Sequence, residues 1–186
     1  MELILIRHAE PVRIQATEGR ADPGLHQRGL AQAEALAAAM AGERLDAVWS
    51  SPMRRARETA APLARVQGLD VIVDPALVEF DRNSASYIPI EEMIATGDER
   101  LAAMGRDDLG HFGTDASTFR KGAVAAIERV IDAHPSQTVA IVSHGGIMNA
   151  YLSHIIGLDR LFFYEPRYAA PTRVLAQAGG RRSLST

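Results

Sequence analysis

The sequence contains no cysteine. Disulfide bonds, cysteine zinc ligands and thiol nucleophiles are therefore excluded as sources of stability or chemistry. Lysine occurs once, at Lys121, so nearly all positive charge is carried by arginine, whose planar guanidinium suits the binding of oxyanions. The net charge is −3, which is not the strongly basic balance typical of proteins that bind nucleic acid. We therefore expect no nucleic-acid partner.

Long hydrophobic runs are also missing. No apolar stretch approaches the roughly 18 residues that a transmembrane helix needs. The N-terminal segment carries charges at Glu2 and Arg7, a pattern that does not match a signal peptide. We expect no membrane partner and a cytoplasmic protein. The length of 186 residues fits one domain, and no feature of the sequence predicts a particular oligomeric state.

Short apolar runs alternate with amphipathic segments along most of the chain. The predicted strands cover residues 3–6, 47–49, 71–73, 138–142 and 173–176, with a turn at Gly179–Gly180 and a partner strand at 183–185. The predicted helices cover residues 27–41, 52–67, 119–134 and 145–156. Strands that alternate with helices indicate an α/β fold. We predict three α/β/α layers, with a mostly parallel sheet flanked by helices.

Two segments of this pattern need separate comment. Five residues recur at helical spacing, so we expect them to form the buried face of the first helix: Leu30, Ala33, Leu36, Ala37 and Met40. Residues 75–115 are richer in acidic and turn-forming residues, with only short helical stretches such as 91–95. We therefore predict a single domain over residues 1–186 that carries a small lid insertion at about 80–116.

Two of the strongest predicted strands end in histidine. The first runs into Arg7 and His8, and the fourth runs into Ser143, His144 and Gly145. Ligands of parallel α/β sheets bind at the carboxyl ends of strands, so both histidines face one crevice if their strands are neighbours. Structural histidines and a metal pair are the alternatives. The adjacent Arg7 and the lack of a neighbouring carboxylate disfavour the metal pair.

The second predicted strand, residues 47–49, leads into Ser50-Ser51-Pro52 and a helix. Serine suits a helix cap and proline the first turn, so we expect this helix to begin at these residues. Helix N-termini favour anions. Of the arginines that follow, we assign Arg54 and Arg57 to a solvated face.

Together these segments resemble the histidine phosphatase superfamily, which includes the phosphoglycerate mutases. Four parts of the chain carry the resemblance, in the order of the family: Leu5-Ile6-Arg7-His8-Ala9-Glu10, the first predicted helix with Gly29, Gln32 and Ala33, Ser50-Ser51-Pro52 with Arg55-Ala56 and Thr59-Ala60, and Ser143-His144-Gly145-Gly146. The match spans about residues 3 to 155. Each motif alone is a weak signal, whereas all four in order are a strong one.

The resemblance implies a mechanism without a metal or other cofactor. His8 attacks phosphorus and becomes a phosphohistidine. Arg7, Arg55 and His144 hold the phosphoryl oxygens, and Gly145 lets a backbone amide approach them. Neutral imidazole is a nucleophile near pH 7, and phosphoryl transfer depends on positioning and charge neutralisation.

The family supplies a proton to the leaving group from a carboxylate after the third strand. Here Glu79 matches that position, between Val78 and Phe80, where burial would raise its pKa. Asp81 is its nearest competitor. The chain departs from the family after Glu10, where a phosphate-contacting Asn and Thr are replaced, and Arg13 is a candidate to compensate. These departures leave the identity of the substrate open.

The function that follows is a phosphatase that hydrolyses phosphate monoesters of small metabolites. A phosphoglycerate mutase is the first alternative, and a non-catalytic module that binds a phosphorylated ligand is an alternative from another class. Four histidines match no family motif, and we interpret them as structural or surface residues: His26, His111, His134 and His154. Of these, His111 is the candidate for substrate contact. We expect three aromatic residues to serve mainly in packing: Tyr87, Phe112 and Phe119.

Overall fold

The computed structural model describes residues 1–16, 18–177, 180 and 182–185. Its strands are β1 (Glu2–Arg7), β2 (Ile14–Gln15), β3 (Ala47–Ser50), β4 (Val71–Val73), β5 (Ser86–Tyr87), β6 (Thr138–Ser143), β7 (Pro171–Ala176) and β8 (Arg182–Ser185). Its helices are α1 (Gln27–Ala39), α2 (Arg54–Gln67), α3 (Ile90–Thr96), α4 (Glu99–Met104), α5 (Ala116–Ala133) and α6 (Gly145–Ile155). Short 3₁₀ turns occupy Pro75–Leu77 and Gly110–Phe112.

Within the described residues, six strands form the main sheet in the order β4-β3-β6-β1-β7-β8. The first four run parallel to one another, and β7 and β8 join antiparallel at one side. This confirms the predicted, mostly parallel sheet and the partner strand for residues 173–176. The predicted turn at Gly179–Gly180 includes Gly179, which lies outside the described residues.

The central strands are apolar along their whole length because helices cover both faces of the sheet. Along β1, Leu3 and Leu5 face the layer formed by α5 and α6, whereas Ile4 and Ile6 face the layer formed by α1 and α2. All four side chains are fully buried. The predicted three-layer α/β/α architecture is confirmed.

The start of α2 differs from the prediction. The helix begins at Arg54 after an extended Met53, rather than at residues 50–52. The Ser51 hydroxyl accepts a hydrogen bond from the Met53 amide and also pairs with His144, so this serine connects two strand ends instead of capping the helix.

The end and the buried face of α1 also differ from the prediction. The helix ends at Ala39 with Met40 as its cap, and Leu30 is 50% exposed. The other four predicted residues are buried and Gly29 joins them, so the buried face differs from the prediction at Leu30 and Gly29 alone.

Residues 80–116 hold more secondary structure than the sequence predicted. The short helix expected at 91–95 is α3, and α4 follows it. The strand β5 pairs antiparallel with β2, in the loop that follows β1. Strands of two residues carry no periodicity that a sequence pattern can show, which is why this pairing was missed. The role of the segment as a lid stays a prediction.

The N-terminus of α1 packs directly against the chain that leaves β1. The carbonyl oxygen of Glu10 accepts a hydrogen bond of 2.9 Å from the His26 amide. A Cβ atom at Gly29 would lie 2.0 Å from the same oxygen. Only glycine allows this approach, so Gly29 determines how close α1 lies to the segment that contains His8.

We predict that Gly29→Ala destabilises the protein by about 2 kcal/mol, because the backbone of Glu10 must move away from α1. Gly122→Ala on α5 is the matched control, because nothing lies within 4 Å of the added Cβ. That control should gain about 0.5–1 kcal/mol from helix propensity. Urea unfolding followed by fluorescence of the single tryptophan, Trp49, measures both. Equal stability of the two variants would contradict the packing argument.

Candidate active site

The carboxyl ends of the four parallel strands meet at one edge of the sheet. His8 follows β1, Arg55 lies in the first turn of α2 after β3, Glu79 follows β4, and His144 follows β6. A cavity of about 600 Å³ lies at this edge, and its lining includes Arg7, His8, Arg55, Glu79 and Gly145. His144 does not line this cavity. It is fully buried, with its ring centroid 5.2 Å from that of His8.

Hydrogen bonds at both ring nitrogens orient the imidazole of His8. Nδ1 lies 2.7 Å from the Ala9 carbonyl oxygen, so Nδ1 carries the proton and donates it. Nε2 therefore has a lone pair and accepts from Nε of Arg55 at 3.3 Å. Burial, followed by the charges of Arg55 and Arg7, holds the pKa of His8 well below its usual value. The ring is neutral at pH 7, and Nε2 is chemically suited to act as a nucleophile.

The backbone around His8 is held by α2 and β6. The Ala9 amide donates to the Thr59 hydroxyl at 2.9 Å, and this hydroxyl donates to the Arg55 carbonyl oxygen at 2.7 Å. The amide of His8 donates to the carbonyl oxygen of Ser143 at 2.9 Å. Three elements therefore restrain the position of the His8 ring.

The guanidinium of Arg7 is buried beside the cavity. Its Nη1 donates to the Pro166 carbonyl oxygen at 2.7 Å, and the ring of Tyr168 lies 3.8 Å from the guanidinium carbon. Carboxylate oxygens of Glu91 and Glu165 lie 3.5 Å and 3.8 Å from Nη1. Both acids are half exposed. Arg7 therefore supplies positive charge beside the cavity, and two carboxylates lie within 3.8 Å of its guanidinium.

Arg55 is almost fully buried, and one edge of its guanidinium is held by Asp81. Its Nη2 lies 3.1 Å and 3.2 Å from the two carboxylate oxygens of Asp81. Among the described residues, three buried polar atoms have no hydrogen-bond partner: Arg55 Nη1, Ser143 Oγ and His144 Nδ1. Two of them belong to residues that the resemblance assigns to phosphate binding. Unpaired donors in a buried site are suited to an oxyanion.

The ring of His144 is oriented by Ser51. Its Nε2 lies 2.7 Å from the Ser51 hydroxyl oxygen. A hydroxyl that donates to Nε2 leaves the imidazole proton on Nδ1. Burial, then the charges of Arg55, His8 and Arg7, lower the pKa of His144 well below its usual value. His144 is therefore a neutral ring, and Nδ1 is its available donor when the Ser51 hydroxyl donates to Nε2.

Glu79 is buried against the start of α6. Its two oxygens accept hydrogen bonds from the amides of Gly146, at 2.8 Å, and Phe80, at 3.0 Å. Burial, followed by the negative charge of Asp81, raises the pKa of Glu79 to about 7. A carboxyl group with this pKa can donate and accept a proton near neutral pH.

The two glycines after His144 are not equivalent. A Cβ atom at Gly146 would lie 2.3 Å from Glu79 Oε1, so glycine is required there for the contact with the carboxylate. A Cβ atom at Gly145 would make an ordinary contact of 3.8 Å with Pro166. Gly145 lines the cavity, but its protein neighbours do not require a glycine.

The remaining arginines near the motifs face solvent. Arg54 pairs with Glu58 on the surface of α2, and Arg57 is exposed, so both lie on a solvated face as predicted. Arg13 pairs with Glu92, is 58% exposed and is not one of the residues that line the cavity. The suggestion that Arg13 compensates for the missing phosphate ligands has no support in this geometry.

The four other histidines occupy structural or surface positions, as expected. His26 caps α1, and His134 accepts a hydrogen bond from the indole of Trp49 at 3.0 Å. His154 and His111 are exposed, and His111 does not line the cavity.

The three aromatic residues expected in packing divide into two groups. Tyr87 and Phe112 line the cavity, whereas Phe119 packs on the ring of Phe80.

Sequence reasoning missed the contributions of Ser51, Asn149 and Tyr168. The amide nitrogen of Asn149 donates to the carbonyl oxygens of Gly145 and Tyr164, which ties the loop after α6 to the site. An asparagine in an otherwise apolar helix is a signal that could have identified it. Tyr168 lies in an irregular segment, and no pattern marks it.

Two further findings concern the described part of the chain. It contains no group of three or more His, Cys, Asp or Glu side chains placed to hold a metal ion. No helix in it is long and apolar enough to cross a membrane.

Comparison with known proteins agrees with this geometry. The model of the histidine phosphatase superfamily (branch 1) matches residues 3–184. Phosphoserine phosphatase 1 of Hydrogenobacter thermophilus is 31% identical over 177 residues, which cover 89% of this chain and 81% of that protein.

Two solved structures show the same fold. A phosphoserine phosphatase of Entamoeba histolytica, crystallised with phosphoserine, superposes with a TM-score of 0.77 at 21% identity, covering 100% of this chain and 95% of that one. A mycobacterial glucosyl-3-phosphoglycerate phosphatase superposes with a TM-score of 0.79 at 21% identity, covering 99% and 96%. As its motifs predict, the chain belongs to the histidine phosphatase superfamily (branch 1) and is a phosphatase.

Proposed function

We propose that the protein hydrolyses phosphate monoesters of small metabolites through a phosphohistidine on His8. The observation that carries this proposal is the tautomer of His8. Its Nδ1 proton is bound to the Ala9 carbonyl oxygen, and its Nε2 lone pair lies beside Arg55 at the cavity. Relatives that are named as phosphatases of phosphoserine and of glucosyl-3-phosphoglycerate support a small phosphorylated substrate.

In the first step, Nε2 of His8 attacks phosphorus, and the bond from phosphorus to the ester oxygen breaks. Arg7 and Arg55 neutralise the charge on the phosphoryl oxygens, and Nδ1 of His144 and the Gly145 amide add neutral hydrogen-bond donors. Such preorganised donors are the main way in which proteins accelerate phosphoryl transfer. The leaving alkoxide takes a proton from Glu79.

In the second step, the Glu79 carboxylate accepts a proton from a water molecule that attacks phosphorus. The bond from phosphorus to Nε2 breaks, inorganic phosphate leaves and His8 returns to its neutral form. The pKa of about 7 supports both roles of Glu79. Asp81 is the weaker candidate for the acid because both of its oxygens accept from Arg55.

Further parts of the proposal come from the sequence. We infer a cytoplasmic protein that needs no metal or other cofactor and binds neither nucleic acid nor a membrane. The positive charge of Arg7 and Arg55 beside His8 supports phosphoryl transfer without a metal ion. We also infer a single domain in which residues 80–116 act as a lid, because Tyr87 and Met93 from this segment line the cavity.

Substitution of the nucleophile tests the mechanism directly. His8→Ala should reduce hydrolysis of p-nitrophenyl phosphate by at least about 10³-fold, because no covalent intermediate can form. The unsubstituted protein should yield an acid-labile phosphoprotein in rapid-quench mass spectrometry, and the variant should not. Undiminished turnover by His8→Ala would refute the mechanism. Phosphate binding without turnover by the unsubstituted protein would favour a non-catalytic binding module.

The pH dependence of kcat/KM can decide whether Glu79 or Asp81 is the general acid. The value of kcat/KM for an alkyl phosphate should fall above pH 7, because Glu79 must be protonated to act as the acid. Glu79→Gln should remove this alkaline limb and cost about 100-fold or more, with a smaller loss on p-nitrophenyl phosphate, whose leaving group needs no proton.

Asp81→Asn is the matched variant for that experiment. This variant should keep the alkaline limb and shift it to lower pH. The charge of Asp81 raises the pKa of Glu79, so its removal lowers that pKa, and Arg55 without its ion pair lowers it further. If Asp81→Asn abolishes the alkaline limb and Glu79→Gln preserves it, Asp81 is the general acid.

Chelation and product analysis test the remaining alternatives. EDTA should leave kcat/KM unchanged, and strong inhibition would indicate a metal-dependent reaction. Incubation with 3-phosphoglycerate should release inorganic phosphate faster than it forms 2-phosphoglycerate. The reverse ratio would identify the protein as a phosphoglycerate mutase.

A further inference from the structure

Beyond His8 and the arginines, the walls of the cavity are mainly apolar. Helices α3 and α4 and the segment after α6 supply them. Six of the residues that form this wall are Ile90, Met93, Leu101, Met104, Phe162 and Phe163. A cavity of about 600 Å³ has room for far more than a phosphoryl group, so most of its volume faces the leaving group of the ester.

An aromatic cluster makes one side of this wall rigid. The ring of Phe80 packs edge-to-face against Phe112, Phe119 and Phe162, with centroid distances of 4.8, 5.5 and 5.7 Å. Phe80 is the residue after Glu79, so the cluster also connects the apolar wall to the proton donor. Phe80, Phe112 and Phe162 of this cluster line the cavity, so a leaving group next to Glu79 has these rings beside it.

Several polar side chains in the outer part of the cavity already make hydrogen bonds within the protein. The amide of Asn149 donates to two carbonyl oxygens and accepts from the Phe163 and Tyr164 amides. The guanidinium of Arg100 donates to both oxygens of Asp98. The remaining arginine of the wall, Arg160, is exposed and donates to the Gly105 carbonyl oxygen.

The acidic residues near Arg7 oppose a substrate with a carboxylate next to its phosphate. Glu165, which lines the cavity, lies 3.8 Å from Nη1 of Arg7, and Glu91, which is not one of the cavity-lining residues, lies 3.5 Å from the same atom. A carboxylate at this place would be repelled by Glu165. An ester such as 3-phosphoglycerate, which has a carboxylate but no ammonium group, is therefore opposed on this side of the cavity.

We propose that the preferred substrates are phosphate monoesters of a bulky apolar alcohol, with an aliphatic chain or ring that occupies the wall formed by α3, α4 and Phe162. This inference rests on the proposed function, since it concerns the leaving group of the same reaction. Apolar surface that leaves water on binding supplies the affinity, and the phosphoryl end supplies the chemistry.

A series of primary alkyl phosphates tests the proposal, because all members have leaving groups of similar basicity. Ethyl, butyl, hexyl and 2-phenylethyl phosphate are compared with O-phosphoserine, 3-phosphoglycerate and glycerol 1-phosphate. The value of kcat/KM should rise roughly threefold per added methylene up to hexyl. Hexyl phosphate should exceed phosphoserine by at least about tenfold.

Two wall variants and a control locate the effect. Leu158→Gln and Phe163→Gln change half-exposed side chains that line the cavity, at 37% and 38% exposure, so both variants should fold. Each should flatten the dependence of kcat/KM on chain length, with the largest loss for hexyl phosphate and the smallest for ethyl phosphate. Ile94→Gln is the matched control on α3, because Ile94 is exposed and does not line the cavity. It should leave the whole series unchanged.

Binding of hexylphosphonate against methylphosphonate, measured as competitive inhibition, gives a second measure that needs no turnover of the ligand. A flat chain-length series in a protein that still forms the phosphohistidine would overturn this proposal and leave the proposed function intact. A preference for phosphoserine or 3-phosphoglycerate that Arg160→Ala removes would overturn it in favour of a dianionic substrate. Loss of hydrolysis for every ester, with no phosphohistidine, would instead refute the proposed function.

Discussion

The parallel pairing of β1 with β6 positions every other part of the site. Its register places Arg7 opposite Ser143, so His8 and His144 leave the sheet side by side, and the His8 amide donates to the Ser143 carbonyl oxygen. Because β3 lies on the other side of β6, the same edge receives the start of α2 and its arginine. The pairing is stabilised by apolar residues on both faces of the two strands, which are shielded by helices on each side.

Burial shifts the pKa values of His8 and Glu79 in opposite directions. It lowers the pKa of His8 and raises that of Glu79, because a low-polarity environment disfavours the charged form of either group. Near neutral pH the site therefore holds a neutral imidazole and a carboxyl group that exchanges its proton easily. Buried positive charge remains on Arg7 and Arg55, and the ion pair of Arg55 with Asp81 compensates for the cost of removing Arg55 from water.

Chemistry and substrate selection come from different parts of the fold. The strand ends supply the groups that act on phosphorus, whereas α3, α4 and the segment after α6 supply the wall that faces the leaving group. Variation in those segments changes the wall without moving the strand ends. The motifs that identify the family do not include this wall, so they say little about the substrate.

Local patterns in the sequence were enough to predict the α/β layers, the strands that end in His8 and His144, and the motif that contains Arg55. Apolar periodicity and sequence motifs are formed by residues close together in the chain, so both can be identified without a structure. Tertiary structure alone decided that Ser51 pairs with His144 instead of capping α2 and that Asp81 holds Arg55. It also placed Tyr168 on Arg7 and buried Glu79 against Gly146. Most of these contacts join residues far apart in the chain, and the pKa values of His8 and Glu79 depend on burial that appears only once the layers pack together.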